Sequence, residues 1–274
     1  MRDLWSVKKA IVATSIVWLT IFFFVGGYYR NAYRISKRLY RSIAVESKQD
    51  QKDADAESLA VIGEPFATAL KSMYDWKPQM GTDGVMHKLD GVTKIDMNEG
   101  LWLYELCIKT KPKRTMEIGV AYGFSTIFFL AALKANGTGM HVAMDPFQQT
   151  EYHGIGLQKV RDLGMEGSFR FMEELDVTGI PSLIREGLRF DVIFIDGNHR
   201  FDDVLLDFTL ADYVCADGGF IILDDSWMPS IQRAVAFIES NRADYRIQTT
   251  PAKTLKVFQK VSADQRNWDH FIDF

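Results

Sequence analysis

Three aspartates stand directly after two short apolar segments of the chain. Asp196 ends the segment FDVIFID, and Asp224 and Asp225 end GGFIILDD. If these segments are adjacent parallel strands, their carboxyl ends bring the three carboxylates to one edge of a sheet. Such negative charges repel one another, and a hard divalent cation with oxygen ligands offsets the repulsion. The residues therefore predict a site for Mg²⁺ or another divalent cation, with helix capping as the alternative role for one or two of them.

His199 follows Asp196 on the turn toward the next helix. If Asp196 holds a metal that also binds a substrate hydroxyl, His199 is placed to accept the hydroxyl proton near neutral pH. Asp196 and His199 are thus the candidate catalytic residues. The alternative is a purely structural histidine.

A glycine-containing turn follows an earlier apolar segment and has the composition of a ligand-binding loop. Gly119 and Gly123 let the backbone turn tightly, and the helix that opens after Gly123 presents free amides. The pattern G-x-G-x-x-G is absent, which argues against a dinucleotide. The candidate cofactor-binding residues of this turn are Glu117, Gly119, Ala121, Tyr122, Gly123 and Ser125.

An acidic residue ends the next apolar segment. Asp145 follows GMHVAM and is suited to accept hydrogen bonds from two ribose hydroxyls, or else to cap a helix. Glu117 is suited to face a ligand ammonium. Together these two residues favour a nucleoside that carries an ammonium over one that carries a diphosphate.

The elements that must position these residues alternate along the chain. From residue 114 onward, apolar runs of strand length alternate with longer helical segments, which predicts a doubly wound, mostly parallel α/β sheet. The last two short strands have no helix between them, so the final strand is expected to run antiparallel as part of a hairpin. Residues 57–110 read as helices that form a cap or lid.

The N-terminal region has the pattern of a membrane anchor. Residues 10–29 contain no charged side chain and are long enough, as a helix, to cross a bilayer. Three basic residues precede this segment and five follow it closely, which favours a cytoplasmic catalytic domain. We expect an anchor and basic juxtamembrane helix over 1–49, a linker and cap helices over 50–110, and the catalytic domain over 111–274.

Charge is distributed unevenly. The whole chain carries −4, but residues 1–49 hold nine Lys or Arg against Asp3 and Glu46, a net charge of +7, so residues 50–274 carry −11. An acidic body argues against nucleic acid as the partner. Cys107 and Cys215 are too few for a disulfide framework and lie in apolar stretches, as buried cysteines do.

Residues 95–260 resemble the class I S-adenosylmethionine-dependent methyltransferases. The resemblance rests on TMEIGVAYGFST, HVAMDPF, FDVIFIDGNHRFDDVLLDF and GGFIILDDSW. It is closest to the small metal-dependent O-methyltransferases that act on catechols, caffeoyl-coenzyme A and macrolide sugars. It implies that the turn at Gly119 holds the methionine part of S-adenosylmethionine and that Asp145 holds the ribose.

The resemblance extends to three further groups. It implies that Glu174 and Asp176 lie on the adenine side, that Asp196 also contacts the cofactor, and that Asp196, Asp224 and Asp225 ligate the metal. The expected protein is a membrane-anchored, Mg²⁺-dependent O-methyltransferase acting on a small-molecule, sugar or lipid-linked hydroxyl. A non-catalytic nucleoside-binding scaffold and a cephalosporin-hydroxylase-like oxygenase are the alternatives, and a homodimer is an open question.

Overall fold

The structure, a computed structural model, describes residues 56–274, and these belong to one compact unit. The first part of this unit precedes the main sheet. It contains the helix α1 (Ala56–Leu59), a 3-10 turn (Ala60–Ile62), the helix α2 (Phe66–Tyr74), a hairpin of β1 (Gln79–Met80) and β2 (Met86–His87), and the helix α3 (Met97–Thr110).

Strands and helices then alternate along the chain up to the last two strands, which follow each other without a helix between them. In chain order they are β3 (Arg114–Ile118), α4 (Phe124–Asn136), β4 (Met140–Met144), α5 (Ile155–Asp162), β5 (Phe169–Met172), α6 (Asp176–Arg185), β6 (Phe190–Ile195), α7 (Phe201–Val214), β7 (Cys215–Leu223), α8 (Pro229–Asn241), β8 (Tyr245–Gln248) and β9 (Lys256–Lys260).

The main sheet has the strand order β5-β4-β3-β6-β7-β9-β8. The neighbours from β5 to β7 pair in parallel, whereas β9 is antiparallel to both β7 and β8. The predicted doubly wound, mostly parallel sheet with an antiparallel last strand is therefore confirmed. Strand order reverses between β3 and β6, and in open α/β sheets ligands bind beyond the carboxyl ends of the strands at this position.

The central strands are apolar because both of their faces are covered. One core layer packs α3 and α4 against the sheet around Phe128, and the other packs α7 and α8 around Phe208. Helix α4 is buried on all sides from Phe124 to Leu133 because it lies between the sheet and α3. Gly100 of α3 makes this contact close, since a Cβ there would overlap the ring of Phe128.

The segment before the sheet is only partly helical. Helix α3 was expected, but the β1–β2 hairpin lies in a region that the sequence predicts as helix. Its chain turns through Gly81 and Gly84, and Asp83 accepts a hydrogen bond from the amide of Val85 at 2.9 Å. Turn-forming residues of this kind interrupt a helix. The two cysteines are buried and free, as expected.

The predicted membrane span at residues 10–29 and the basic segment after it lie outside the described residues. Among residues 56–274, none of the helices combines the length and the apolar composition needed to cross a bilayer. The expected anchor therefore stays a prediction from the sequence.

One buried acid in the fold makes stability depend on pH. Asp207 of α7 is fully buried, and neither of its carboxyl oxygens has a hydrogen-bond partner in the described part of the chain. Burial, followed by the nearby carboxyl of Asp176, raises the pKa of Asp207 to about 10. In the unfolded chain the pKa is about 3.9, so folding takes up a proton between these values.

We therefore expect the stabilising effect of Asp207→Asn to grow as pH rises between about 4 and 10, by at most about 1.4 kcal/mol per pH unit. The amide cannot ionise, whereas the wild-type carboxyl increasingly resists folding. Urea denaturation at pH 5.5 and pH 8 measures the effect. Asp202→Asn, on the exposed side of the same helix, is the control. A difference between Asp207→Asn and wild type that does not change with pH would refute this account.

Candidate active site

The carboxyl ends of β3 and β6 meet at the reversal of strand order. The Asp196 amide donates to the Ile118 carbonyl at 2.9 Å, which extends the ladder between these strands beyond β6. Gly119 comes next and has φ +90°, a conformation that favours glycine. A Cβ at this position would overlap the carbonyl oxygen of Asp196. Gly119 therefore allows the predicted cofactor turn and the predicted metal edge to lie in direct contact.

Gly123 ends the turn and begins α4. It has φ +87°, and a Cβ there would approach the Cα of Gly156 at 2.9 Å. No side chain caps the helix, so its first amides are free to bind a ligand. Ala121, Tyr122 and Ser125 lie in the same turn and first helical residues, as predicted, and the Tyr122 ring makes an edge contact with Tyr152 at 5.1 Å between centroids.

Glu117 is fully buried at the end of β3. Its Oε2 accepts a hydrogen bond from Thr126 Oγ1 at 2.5 Å and lies 3.1 Å from His141 Nε2. Its Oε1 has no hydrogen-bond partner among the described residues. One oxygen therefore has a structural role, and the other is a buried acceptor without a partner, which the predicted contact with a ligand ammonium would satisfy.

Asp145 holds the glycine turn in place. Its Oδ2 accepts hydrogen bonds from the Val120 and Ala121 amides at 3.2 and 2.8 Å, and from Gln148 Nε2 at 3.0 Å. Its Oδ1 accepts from the Phe147 amide at 2.7 Å. Asp145 is followed by turns and the next helix begins only at Ile155, so the helix-capping alternative is not observed. The ribose role stays a prediction, for which only Oδ1 has an accepting position left.

The predicted metal edge brings three donor side chains together. One ligand atom each of Asp196, His199 and Asp225 lies within 4.8 Å of the others. The His199 Nε2 atom is 2.9 Å from Asp225 Oδ2 and 3.5 Å from Asp196 Oδ1. Neither contact has good hydrogen-bond angles, so the attraction is mainly between charges.

Asp224 lies beside this group and not within it. Its Oδ1 accepts a hydrogen bond from the Asp225 amide at 2.6 Å. Asp225 has φ +51°, and this unusual backbone turn presents its side chain to His199. The tight group is thus completed by His199 in place of the predicted Asp224. A metal role for Asp224 stays a prediction.

A fourth acid near this edge was not predicted. Glu99 of α3 is buried and forms a capping box, in which its Oε2 accepts from the Asp96 amide at 2.8 Å. Burial and the charges of Asp96, Asp196 and Asp225 raise the pKa of Glu99 to about 8. The sequence Asp-x-x-Glu before an apolar helix indicates the capping box. Its position near the metal edge depends on how α3 packs, which the sequence does not reveal.

Burial and charge perturb the pKa values at the edge. Burial raises the pKa of Asp196 to about 6 and that of Asp224 well above its usual range. Burial would also raise the pKa of Asp225, but the contact with His199 lowers it. Burial would lower the pKa of His199, yet Asp196 and Asp225 outweigh it and raise the value to about 10. The imidazolium therefore offsets one of the two carboxylate charges at neutral pH.

The predicted adenine-side residues have other contacts. Glu174 is exposed after β5, and its charge helps to raise the pKa of Arg170. Asp176 is the first residue of α6, where its Oδ1 accepts from the Val177 amide at 2.7 Å and its carboxyl faces Asp207. A role of either residue at an adenine ring stays a prediction.

A second histidine cluster lies on the β1–β2 hairpin. Asp83, His87 and His153 place ligand atoms within 4.8 Å of one another. The two imidazole rings stack at 3.8 Å with an angle of 3° between their planes. The in-plane lone pairs of parallel rings do not converge on one ion. This cluster therefore joins the hairpin to the loop after β4.

Comparison with known proteins agrees with this geometry. A family described as a methyltransferase domain matches residues 116–226, which include the end of β3, the Gly119 turn and both acidic strand ends. This chain contains a class I S-adenosylmethionine-dependent methyltransferase domain. The prediction of such an enzyme is confirmed, and the non-catalytic scaffold is set aside.

Two sequence relatives illustrate the likeness of this methyltransferase. It is 25% identical over 154 residues to a catechol O-methyltransferase of Niastella koreensis, a match that covers 52% of this chain and 67% of that one. It is 24% identical over 156 residues to a flavonoid 3',5'-methyltransferase of Vitis vinifera, covering 54% and 62% of the two chains.

Solved structures show the same fold. An O-methyltransferase from Bacillus cereus, in complex with SAH, has a TM-score of 0.53 at 18% identity, covering 79% of this chain and 96% of that one. TomG from Streptomyces achromogenes, in complex with SAM, has a TM-score of 0.54 at 17% identity, covering 80% and 95%.

The contact between Gly119 and Asp196 can be tested by adding a methyl group. We expect Gly119→Ala to destabilise the methyltransferase by more than about 2 kcal/mol, because it combines an unfavourable φ with an overlap against backbone. Gly137→Ala is the matched control, since Gly137 also has a positive φ, +73°, but a Cβ added there meets no atom within 4 Å. Thermal unfolding of both variants measures the difference. Equal losses of stability would contradict a close contact at Gly119.

Proposed function

We propose that this methyltransferase transfers the methyl group of S-adenosylmethionine to a hydroxyl oxygen and that it requires a divalent cation. The observation that carries the proposal is the convergence of Asp196, His199 and Asp225 beside the Gly119 turn. The O-methyltransferase relatives support the choice of oxygen as the acceptor atom.

The donor set fits a hard divalent cation such as Mg²⁺. Asp196 and Asp225 offer carboxylate oxygens, and the carboxyls of Asp224 and Glu99 lie nearby. Burial raises the pKa of both, and the positive charge of a cation would favour their ionised form. Oxygen-rich, negatively charged sites of this kind suit Mg²⁺, Mn²⁺ or Ca²⁺. A bound cation supplies a positive charge that lowers the pKa of a hydroxyl on the acceptor. An oxygenase iron site usually needs two histidines and one carboxylate, whereas this edge offers one histidine and two carboxylates.

His199 is the proposed proton acceptor. Its imidazole is protonated while Asp196 and Asp225 act on it alone, because they raise its pKa to about 10. Positive charge placed on the same carboxylates weakens that attraction, so the pKa of His199 falls toward neutrality. The imidazole can then accept a proton from the hydroxyl. Asp196 is the second proposed catalytic residue. It would bind the cation at the same edge and so orient the acceptor hydroxyl.

The sheet supplies the required alignment. Methyl transfer needs the acceptor oxygen, the methyl carbon and the sulfur in one line, so much of the acceleration comes from positioning. Glu117 and the free amides of α4 are proposed to hold the methionine part of the cofactor, and Asp145 its ribose. The contact between Gly119 and Asp196 sets the distance between the proposed cofactor-binding residues and the acidic edge.

Two variants at the acidic edge test this function. We expect Asp225→Asn to weaken Mg²⁺ binding at least tenfold and to reduce methyl transfer about 100-fold or more, with S-adenosylmethionine binding retained. Asparagine tolerates the positive φ of this position, so folding is preserved. His199→Gln should lower kcat about 100-fold and remove the rise of kcat with pH that reflects imidazole deprotonation.

Calorimetry with Mg²⁺ and with S-adenosylmethionine, together with product formation across pH 6 to 9, measures these effects. Asp202→Asn is the control because it removes an exposed acid close in sequence. Full activity of wild type in excess chelator would refute the metal requirement. An unchanged pH profile in His199→Gln would remove that residue from proton transfer.

We also propose a single-pass membrane location with the catalytic domain in the cytoplasm. The uncharged segment at residues 10–29 and the basic residues after it support this location. The full-length chain is expected to remain in the membrane fraction after extraction with alkaline carbonate, and a chain lacking residues 1–49 to be released. Release of the full-length chain would contradict the anchor. Acceptors that reside in membranes, including lipid-linked sugars, are therefore compatible with the proposed function.

A further inference from the structure

A cavity of about 400 Å³ adjoins the acidic edge on the side of β9. Trp227, Val235 and Ala236 supply apolar surface to it, and Lys253, Lys256 and Glu239 supply charge. This volume suits a small ligand of the size of a substituted ring.

Trp227 connects the cavity to the acidic edge. Its Nε1 donates a hydrogen bond to Asp225 Oδ1 at 2.7 Å, and its ring is 52% exposed. The same side chain therefore contacts a proposed metal ligand and forms part of the cavity lining. A ligand packed against the indole ring therefore contacts the side chain that is hydrogen-bonded to Asp225.

The lysines are fixed relative to this edge by the sheet and by a loop contact. Lys256 lies opposite Leu223 in the antiparallel pairing of β9 with β7, and Leu223 directly precedes Asp224. The Ser226 amide donates to the Thr254 carbonyl at 2.8 Å, which ties the loop that carries Lys253 to the loop after β7. The lysine positions therefore follow from the same strand that positions Asp224 and Asp225.

The charges of this lining differ from those of the rest of the domain. Neither Lys253 nor Lys256 forms an ion pair within residues 56–274, and Glu239 is the only acid among the lining residues described. Residues 50–274 carry −11 in total, and the adjacent edge is acidic. Two lysines without ion-pair partners at a cavity in an acidic domain favour a ligand that carries negative charge.

We propose that the cavity binds the part of the methyl acceptor that is remote from its reacting hydroxyl, and that this part carries a carboxylate or a phosphate. The acceptor body packs against Trp227, Val235 and Ala236, and its anionic group pairs with Lys253 and Lys256. This inference rests on the proposed function for the identity of the ligand, but the cavity can be probed by binding alone.

The test compares three catechols that differ in one substituent. The probes are 3,4-dihydroxybenzoate, 3,4-dihydroxybenzylphosphonate and the neutral 3,4-dihydroxybenzyl alcohol, titrated calorimetrically into the full-length chain with S-adenosylhomocysteine and Mg²⁺ present. We expect at least one anionic probe to bind about tenfold or more tightly than the alcohol. The stronger of the two anionic probes distinguishes a carboxylate acceptor from a phosphate acceptor.

Variants assign the preference to the lysines. The double variant Lys253→Ala, Lys256→Ala should remove the preference for the anionic probe and leave the affinity for the alcohol and for S-adenosylhomocysteine within about twofold of wild type. Lys134→Ala, at the C-terminal end of α4, removes one lysine charge at an exposed position away from the cavity and should change none of these values.

Equal affinity for charged and neutral probes, absence of binding by all three, or a preference that survives in the double variant would overturn the inference. Methyl transfer to the probes is measured separately. Methyl transfer without an anionic preference leaves the proposed function intact and rejects only the role of the lysines. If the anionic preference depends on the lysines but no Mg²⁺-dependent methyl transfer to any hydroxyl is detected, the proposed function is rejected and the anion site remains.

Discussion

The mutual repulsion of acidic side chains is the constraint around which this site is built. Asp196 and Asp225 converge on His199, while Asp224 and Glu99 lie close by. The sheet forces this arrangement, since the Asp196 amide bonds to β3 and the Asp224 amide bonds to the Ile195 carbonyl of β6 at 3.1 Å. The backbones of Asp196 and Asp224 are thus held by hydrogen bonds that extend the strand ladders. Without a compensating positive charge, part of this group must remain protonated or pair with the imidazole.

The sequence was most informative where one local pattern decides the structure. Strands β6 and β7 end in short apolar runs that are buried on both faces, so their type follows from composition. The antiparallel β9 could be predicted because too few residues separate it from β8 for a crossover helix. The glycine turn and the acidic strand ends could be placed close together, because the carboxyl ends of parallel strands meet at one edge of the sheet.

The sequence was less informative where packing between distant segments decides the structure. Asp225 has a positive φ, and His199 takes the place of Asp224 as the third member of the group. Aspartate tolerates such a φ, but its residue type alone does not predict it. Glu99 was missed because its capping motif shows where α3 begins and not what α3 approaches. Gly119 was expected to allow a tight turn beside a ligand. In the described structure it also lies against the Asp196 carbonyl, a contact that the sequence does not reveal.

The insertion of β9 between β7 and β8 has a consequence for the order in which the protein is made. The acids after β6 and β7 leave the ribosome before the strand that bears Lys256, which pairs directly with β7. Until β9 is synthesised, the outer side of β7 exposes unpaired amides and carbonyls and is open to non-native pairing. The part of the sheet that adjoins the lysine cavity is therefore completed late in biogenesis, after the half that contains the glycine turn.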